Sequence, residues 1–83
     1  MGEIKLDHLV VSEEAIFACG RDHERKVRLF LIRENEGKVY SRNGRSDSWE
    51  EIFGVNRADV VNRIVHARHN QSVPVYKISS FNA

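Results

Sequence analysis

The run Val27 to Arg33, Val-Arg-Leu-Phe-Leu-Ile-Arg, constrains the fold more than any other stretch of the chain. Side chains alternate between the two faces of an extended segment. Val27, Leu29 and Leu31 therefore share one face, and Phe30 and Ile32 share the other with Arg28. Both faces are largely apolar, which predicts a strand in the middle of a sheet. Its apolar stretch, Leu29 to Ile32, is strand-sized. It falls far short of the roughly 20 residues that cross a bilayer as a helix.

The neighbours of this strand read outward from it. Glu34-Asn35-Glu36-Gly37 is a hairpin loop, with Gly37 supplying the positive φ such a turn needs. Lys38 to Arg42 returns as the partner strand with Val39 inward, and Asn43-Gly44 ends it. Upstream, Ile4, Leu6, Leu9 and Val11 predict a short strand or extended arm. Ser12 to Gly20 fits two readings. A serine cap, early acids and a closing glycine spell a short helix. The alternation of Ile16 and Ala18 with Phe17 and Cys19 favours a strand.

The second half reads as helical. Ser48-Trp49-Glu50-Glu51 has the form of a capping box and predicts a short helix ending at Gly54. Asn56 then caps a second helix reaching about His69, with Ala58, Val61, Ile64, Val65 and Arg68 at helical spacing and Val60 widening the stripe. Asn70-Gln71-Ser72 breaks it, and Val73 to Ile78 forms a last strand. Pro74 has no amide donor, so that strand lies at an edge or starts beyond the proline. The expected architecture is a single α+β domain over residues 1–83. It has a small three- or four-stranded, mostly antiparallel sheet and a C-terminal helix pair packed on one face.

Cysteine and charge narrow the functional classes. Cys19 stands alone, so no internal disulfide supports the fold, which suits a reducing compartment. The first residues carry Glu3 and Asp7 and no apolar core, unlike a signal peptide. The expected location is cytoplasmic, with no membrane partner. Residues 1–20 hold one base and four acids, a balance of −3; residues 21–83 hold twelve bases and eight acids, a balance of +4. Either the charges are a solvated surface, or a basic body faces an anion.

Trp49 to Ile64 resembles a helix-turn-helix. Phe53, Gly54, Val55 and Asn56 match that family's apolar residue, turn glycine, following apolar residue and polar cap, and Val60 and Ile64 match its inward positions. A helix followed by a strand, here Val73 to Ile78, is similar to Cro-type phage repressors. The resemblance implies double-stranded DNA as a partner, read by the exposed Asn56, Arg57, Asn62 and Arg63. Arg42 and Arg45, flanking the Asn43-Gly44 turn, would hold phosphates. The pattern departs at Glu50, where the family places alanine, at Arg63, often apolar, and in the hairpin that precedes it. Asp59 near the reading tip would repel phosphate.

Other chemistry has little footing. Cys19 with His23, and His66 with His69, are the only pairs that invite zinc, and their spacing matches no familiar four-ligand set. No nucleophile, phosphate-loop or zincin motif occurs, so neither catalysis, a metal nor a cofactor is expected. His8 reads as packed or exposed in an apolar arm. Trp49 reads as a core anchor beneath the helix pair or, if exposed, as a protein-interface marker. Phe81 has the same two readings. The chain is thus expected to be a non-catalytic regulator that binds DNA. The competing class is a small inhibitor or adaptor that binds a protein and never touches nucleic acid. A homodimer would enlarge a core this small.

Overall fold

The computed structural model describes residues 4–44 and 48–79. Six strands and one helix follow in the order β1 (Lys5–Val11), β2 (Ile16–Arg21), β3 (Val27–Arg33), β4 (Lys38–Asn43), β5 (Glu50–Ile52), α1 (Gly54–Asn70) and β6 (Val75–Lys77). They form one sheet in the spatial order β5-β4-β3-β2-β1-β6. Every neighbouring pair is antiparallel except β1 and β6, which run parallel. The helix leaves one edge of the sheet and delivers the chain to the other edge.

Local chemistry explains the meander. Ser12 closes the first hairpin: its hydroxyl lies 3.2 Å from the Ala15 amide and carbonyl, and its own amide donates to the Ala15 carbonyl. Ser12 therefore serves a strand-to-strand turn, and the segment after it takes the strand reading. Strand β1 contains a bulge, with Leu6 opposite Gly20 and His8 opposite Cys19. The extra residue, Asp7, lets Leu6 and Leu9 share a face although they are three positions apart. β1 and β2 approach closely at Gly20, where a Cβ would come within 2.7 Å of the Lys5 carbonyl oxygen.

The core lies between the helix and one sheet face. Leu9, Val11, Ile16, Ala18, Phe30, Ile32 and Val39 meet Val60, Ile64 and Ala67 of α1. Leu9, Ala18 and Phe30 are direct cross-strand partners, as are Val11, Ile16, Ile32 and Val39. This is the side-chain alternation of β3 realised, with Phe30 and Ile32 on the covered face. Ile64 and Phe30 are each 1% exposed. Gln71 ends the helix in the left-handed region, its amide donating to the Ala67 carbonyl. Arg68 and His69 in the last turn suit the negative end of the helix dipole. The Pro74 carbonyl accepts from the Leu9 amide, so the proline contributes to the junction without needing a donor.

Three expectations are corrected. The sheet has six strands, not three or four. The segment expected as the first helix is the edge strand β5, so among the described residues there is no helix pair and no helix-turn-helix geometry. Fewer than two helical turns fit between Ser48 and Gly54, too few to offset helix nucleation. The free edge of β4 offers ladder bonds instead, and Ile52 pairs opposite the buried Val39. The helix also starts earlier than the Asn56 cap implied. Phe53 is its extended N-cap, with no side-chain cap bond, and Gly54 at φ +60° makes the bend. Its buried stripe is Val60, Ile64 and Ala67; Ala58, Val65 and Arg68 are exposed.

Ile64→Ala is expected to cost about 2–5 kcal/mol through cavity formation. Val65→Ala, on the exposed side of the same helix, should stay within about 0.5 kcal/mol. Gly20→Ala should destabilise by about 1–3 kcal/mol by forcing β1 and β2 apart. Urea unfolding followed by circular dichroism measures all three.

Candidate docking face

The second face of the sheet is built from the residues that alternate with the core. One row across the strands runs Tyr76, Val10, Phe17, Leu31, Tyr40 and Glu51, each the partner of the next. The adjacent row runs His8, Cys19, Leu29 and Arg42. Antiparallel sheets with one wet face normally turn polar residues outward. Here the outward rows are mostly aliphatic and aromatic. Among the described residues, no helix or strand packs over them. Most are half-buried by their own neighbours, and Tyr76 is exposed at the edge.

Aromatic and charged side chains organise the surface. Trp49, in the lead-in to β5, meets Phe17 edge-on with ring centroids 6.2 Å apart. The Arg42 guanidinium stands 5.6 Å from the Trp49 ring centroid, and its Nε donates to the Gly44 carbonyl at 2.7 Å. His8 meets the Tyr76 ring edge-on at 6.0 Å. Trp49 is therefore a fixture of the outer face, not an anchor beneath helices. Beyond the apolar rows lie Lys5 and Arg21 on one side and Arg33 and Lys38 on the other. Arg21 pairs with Asp7 at 3.6 Å and Arg33 with Glu36 at 3.9 Å. Both pairs are solvent-exposed, so they are worth about 0–1 kcal/mol and exchange readily with a partner's carboxylates.

The residues expected to read DNA are divided by the sheet. Asn56 and Arg57 occupy the exposed first turn of α1, and Asn62 and Arg63 are exposed further along it. Arg63 Nε donates to Asp59 at 3.0 Å, which occupies one of the two helix arginines expected to read DNA. Arg42 lies against Trp49 on the opposite face. Arg45 and Phe81 fall outside the described residues. Sequence reasoning passed over Phe17, Leu29, Leu31 and Tyr40 as a surface, although the apolar second face of the central strand was the signal that could have found it.

Among the described residues, no three His, Cys, Asp or Glu side chains gather where they could hold a metal ion. Cys19 sits in the outer face, His23 in the β2–β3 loop, and His66 on the helix with Asn70 at 2.9 Å from Nε2. An open cavity of about 640 Å³ between the end of α1 and β6 is lined by Arg68, Pro74 and Lys77 among others, with no carboxylate, histidine or thiol. Asp22 is held below the usual carboxylate range, chiefly by the amide of Lys26 and also by that of Glu24, which orders the β2–β3 loop. Among the described residues, no helix is long and apolar enough to cross a membrane. No protein-family model, curated protein or solved structure significantly matches the chain.

Leu31→Lys should cost at most about 1 kcal/mol, because the lysine stem covers the same apolar surface with its ammonium in water. Phe30→Ala, one residue away on the covered face, should cost about 3–5 kcal/mol. Paired urea melts check the contrast.

Cys19 offers a second test. Burial raises its thiol pKa, Asp7 raises it further, and Arg21 partly opposes them. The neutral thiol is thus favoured in the folded state. Its contribution to stability is complete below the unfolded thiol value of about 8.5 and disappears as pH rises through the folded value. The rate of iodoacetamide alkylation should reach half its maximum at a higher pH than for free cysteine. A midpoint at or below the free-cysteine value would contradict this placement.

Proposed function

We propose that this domain is a non-catalytic protein-binding module, an adaptor or inhibitor, that docks its partner on the open face of the sheet. The observation that carries the reading is the uncovered pair of apolar rows centred on Phe17, Leu29 and Leu31. Apolar surface left in water is a liability, and contiguous patches of it mark interaction sites. Trp49, Tyr40, Tyr76 and Arg42 are the residue types that dominate binding energy at protein interfaces. The same face suits nucleic acid less well. Between the rings of Phe17, Tyr40 and Tyr76, the side chains of Val10, Leu29, Leu31 and Cys19 offer bases no stacking partner, so the aromatic surface is interrupted. Duplex recognition through a paired helix loses its footing once the first helix is a strand. A cytoplasmic setting fits the lone thiol on this surface.

A photoreactive amino acid placed at Leu31 should cross-link one discrete protein in the source cell, and the same probe at His66 on the helix should not. Leu31→Lys in a bait probed at Tyr40 should abolish that product. In parallel, the purified domain should give flat titrations against duplex and single-stranded DNA at low salt. A salt-sensitive DNA complex, weakened by Arg57→Ala with Arg63→Ala, would overturn the reading.

A further inference from the structure

The proposed docking face also carries the chemistry of its occupant, provided that it binds a protein at all. We infer that the face accepts an acidic amphipathic α-helix laid across the strands. The width of the apolar rows fits such a segment. Two adjacent rows on one face lie about 7 Å apart, because each is two residues further along a strand. A helix roughly 10–12 Å across, with one apolar stripe, covers both. Across the six strands the longer row extends ~24 Å, the length of a helix of about 16 residues, and the second row runs beside it over four of them.

Charge sets the flanks. Lys5 and Arg21 lie beyond one row, and Arg33 and Lys38 beyond the other. These basic positions are separated by roughly 20 Å along the strands, from the level of Val27 to that of Arg33 on β3. Each set therefore stands about 10 Å from the midline, where glutamates on the two flanks of a bound helix would reach them. With Arg42, five bases stand at these positions against Asp7, Glu36 and Glu51, an excess of two. A second copy would bring the same excess of bases to the contact, so self-stacking sets like charge against like. Charge complementarity selects an acidic partner instead.

The test uses the full chain and two designed 18-residue helical peptides. Both carry one leucine stripe; one has glutamate on both flanks and its twin has lysine. Fluorescence anisotropy should give at least tenfold tighter binding for the glutamate peptide. That binding should fall at least tenfold in Leu31→Lys and in the Arg33→Glu, Lys38→Glu double variant, and should not change in Arg57→Ala. Amide chemical shifts of the wild-type domain on peptide addition should move at Val10, Phe17 and Leu31 and not along α1, which removes dependence on variants that fold poorly.

Equal binding of both peptides would overturn the inference and leave the docking face intact. So would failure of both peptides while the cross-linked partner still depends on Leu31. Dimerisation of the free domain, seen by sedimentation and lost in Leu31→Lys, would overturn it in favour of a second copy. Binding of oligothymidine with no binding of either peptide would remove both the inference and the protein-binding reading.

Discussion

One helix must carry the chain from one edge of the sheet to the other, and the rest of the molecule is arranged around that crossing. Strands β5 and β6 are the two edges, and α1 is the only connection between them. Its 17 residues span about 25 Å, which matches the ~24 Å width of six strands. The crossing fixes which face is covered. Val60, Ile64 and Ala67 press on Leu9, Phe30 and their row-mates, and this contact is the core. No chain remains among the described residues to cover the reverse side. The same step that closes one layer leaves the other open.

That asymmetry turns the alternation of β3 into a functional statement. Phe30 and Ile32 are satisfied by the helix. Leu29 and Leu31 have only their neighbours in the sheet. A sequence that needed only one covered face would place polar residues there at no cost to folding. Keeping Val10, Phe17, Leu29 and Leu31 apolar, and framing them with Trp49, Arg42 and flanking lysines and arginines, is intelligible when another surface completes the layer. Arg42 is informative in this respect. Its guanidinium is held by the Gly44 carbonyl and the Trp49 ring, so it presents a fixed cation beside the apolar rows.

Much of the strand meander was legible because its signals are local. Alternation in β3, the Glu34–Gly37 loop and the inward Val39 depend on a few neighbouring residues. The strand in Ser12–Gly20 was favoured for the same reason. The spacing of Leu6 and Leu9 held the evidence for a bulge, but only the partner register around Gly20 makes it readable. β5 was missed because its state is decided at long range. Ser48 to Glu51 carries a helix-start pattern, and the ladder along Val39 to Ser41 overrides it. The mistaken first helix then lent Gly54 and Asn56 to a helix-turn-helix pattern. The glycine does bend the chain, but between a strand and a helix. The open face escaped notice because a buried central strand and a half-covered one share the same sequence. Only the number of covering elements separates them, and that is a property of topology.

The pairing of β6 with β1 imposes an order on assembly. Leu9 waits for the Pro74 carbonyl, and Val10 waits for Tyr76, across most of the chain. The hairpins from β1 to β4 close over short loops and can form as the polypeptide leaves the ribosome. The outer edge of β1 cannot. At synthesis rates of roughly 5–20 residues per second, that edge stays unpaired for several seconds after the first hairpin is complete. A flat free strand would invite pairing with other nascent chains. The extra residue at Asp7 twists β1 and interrupts its ladder, so the bulge that sets the register of the finished sheet also shields the growing one.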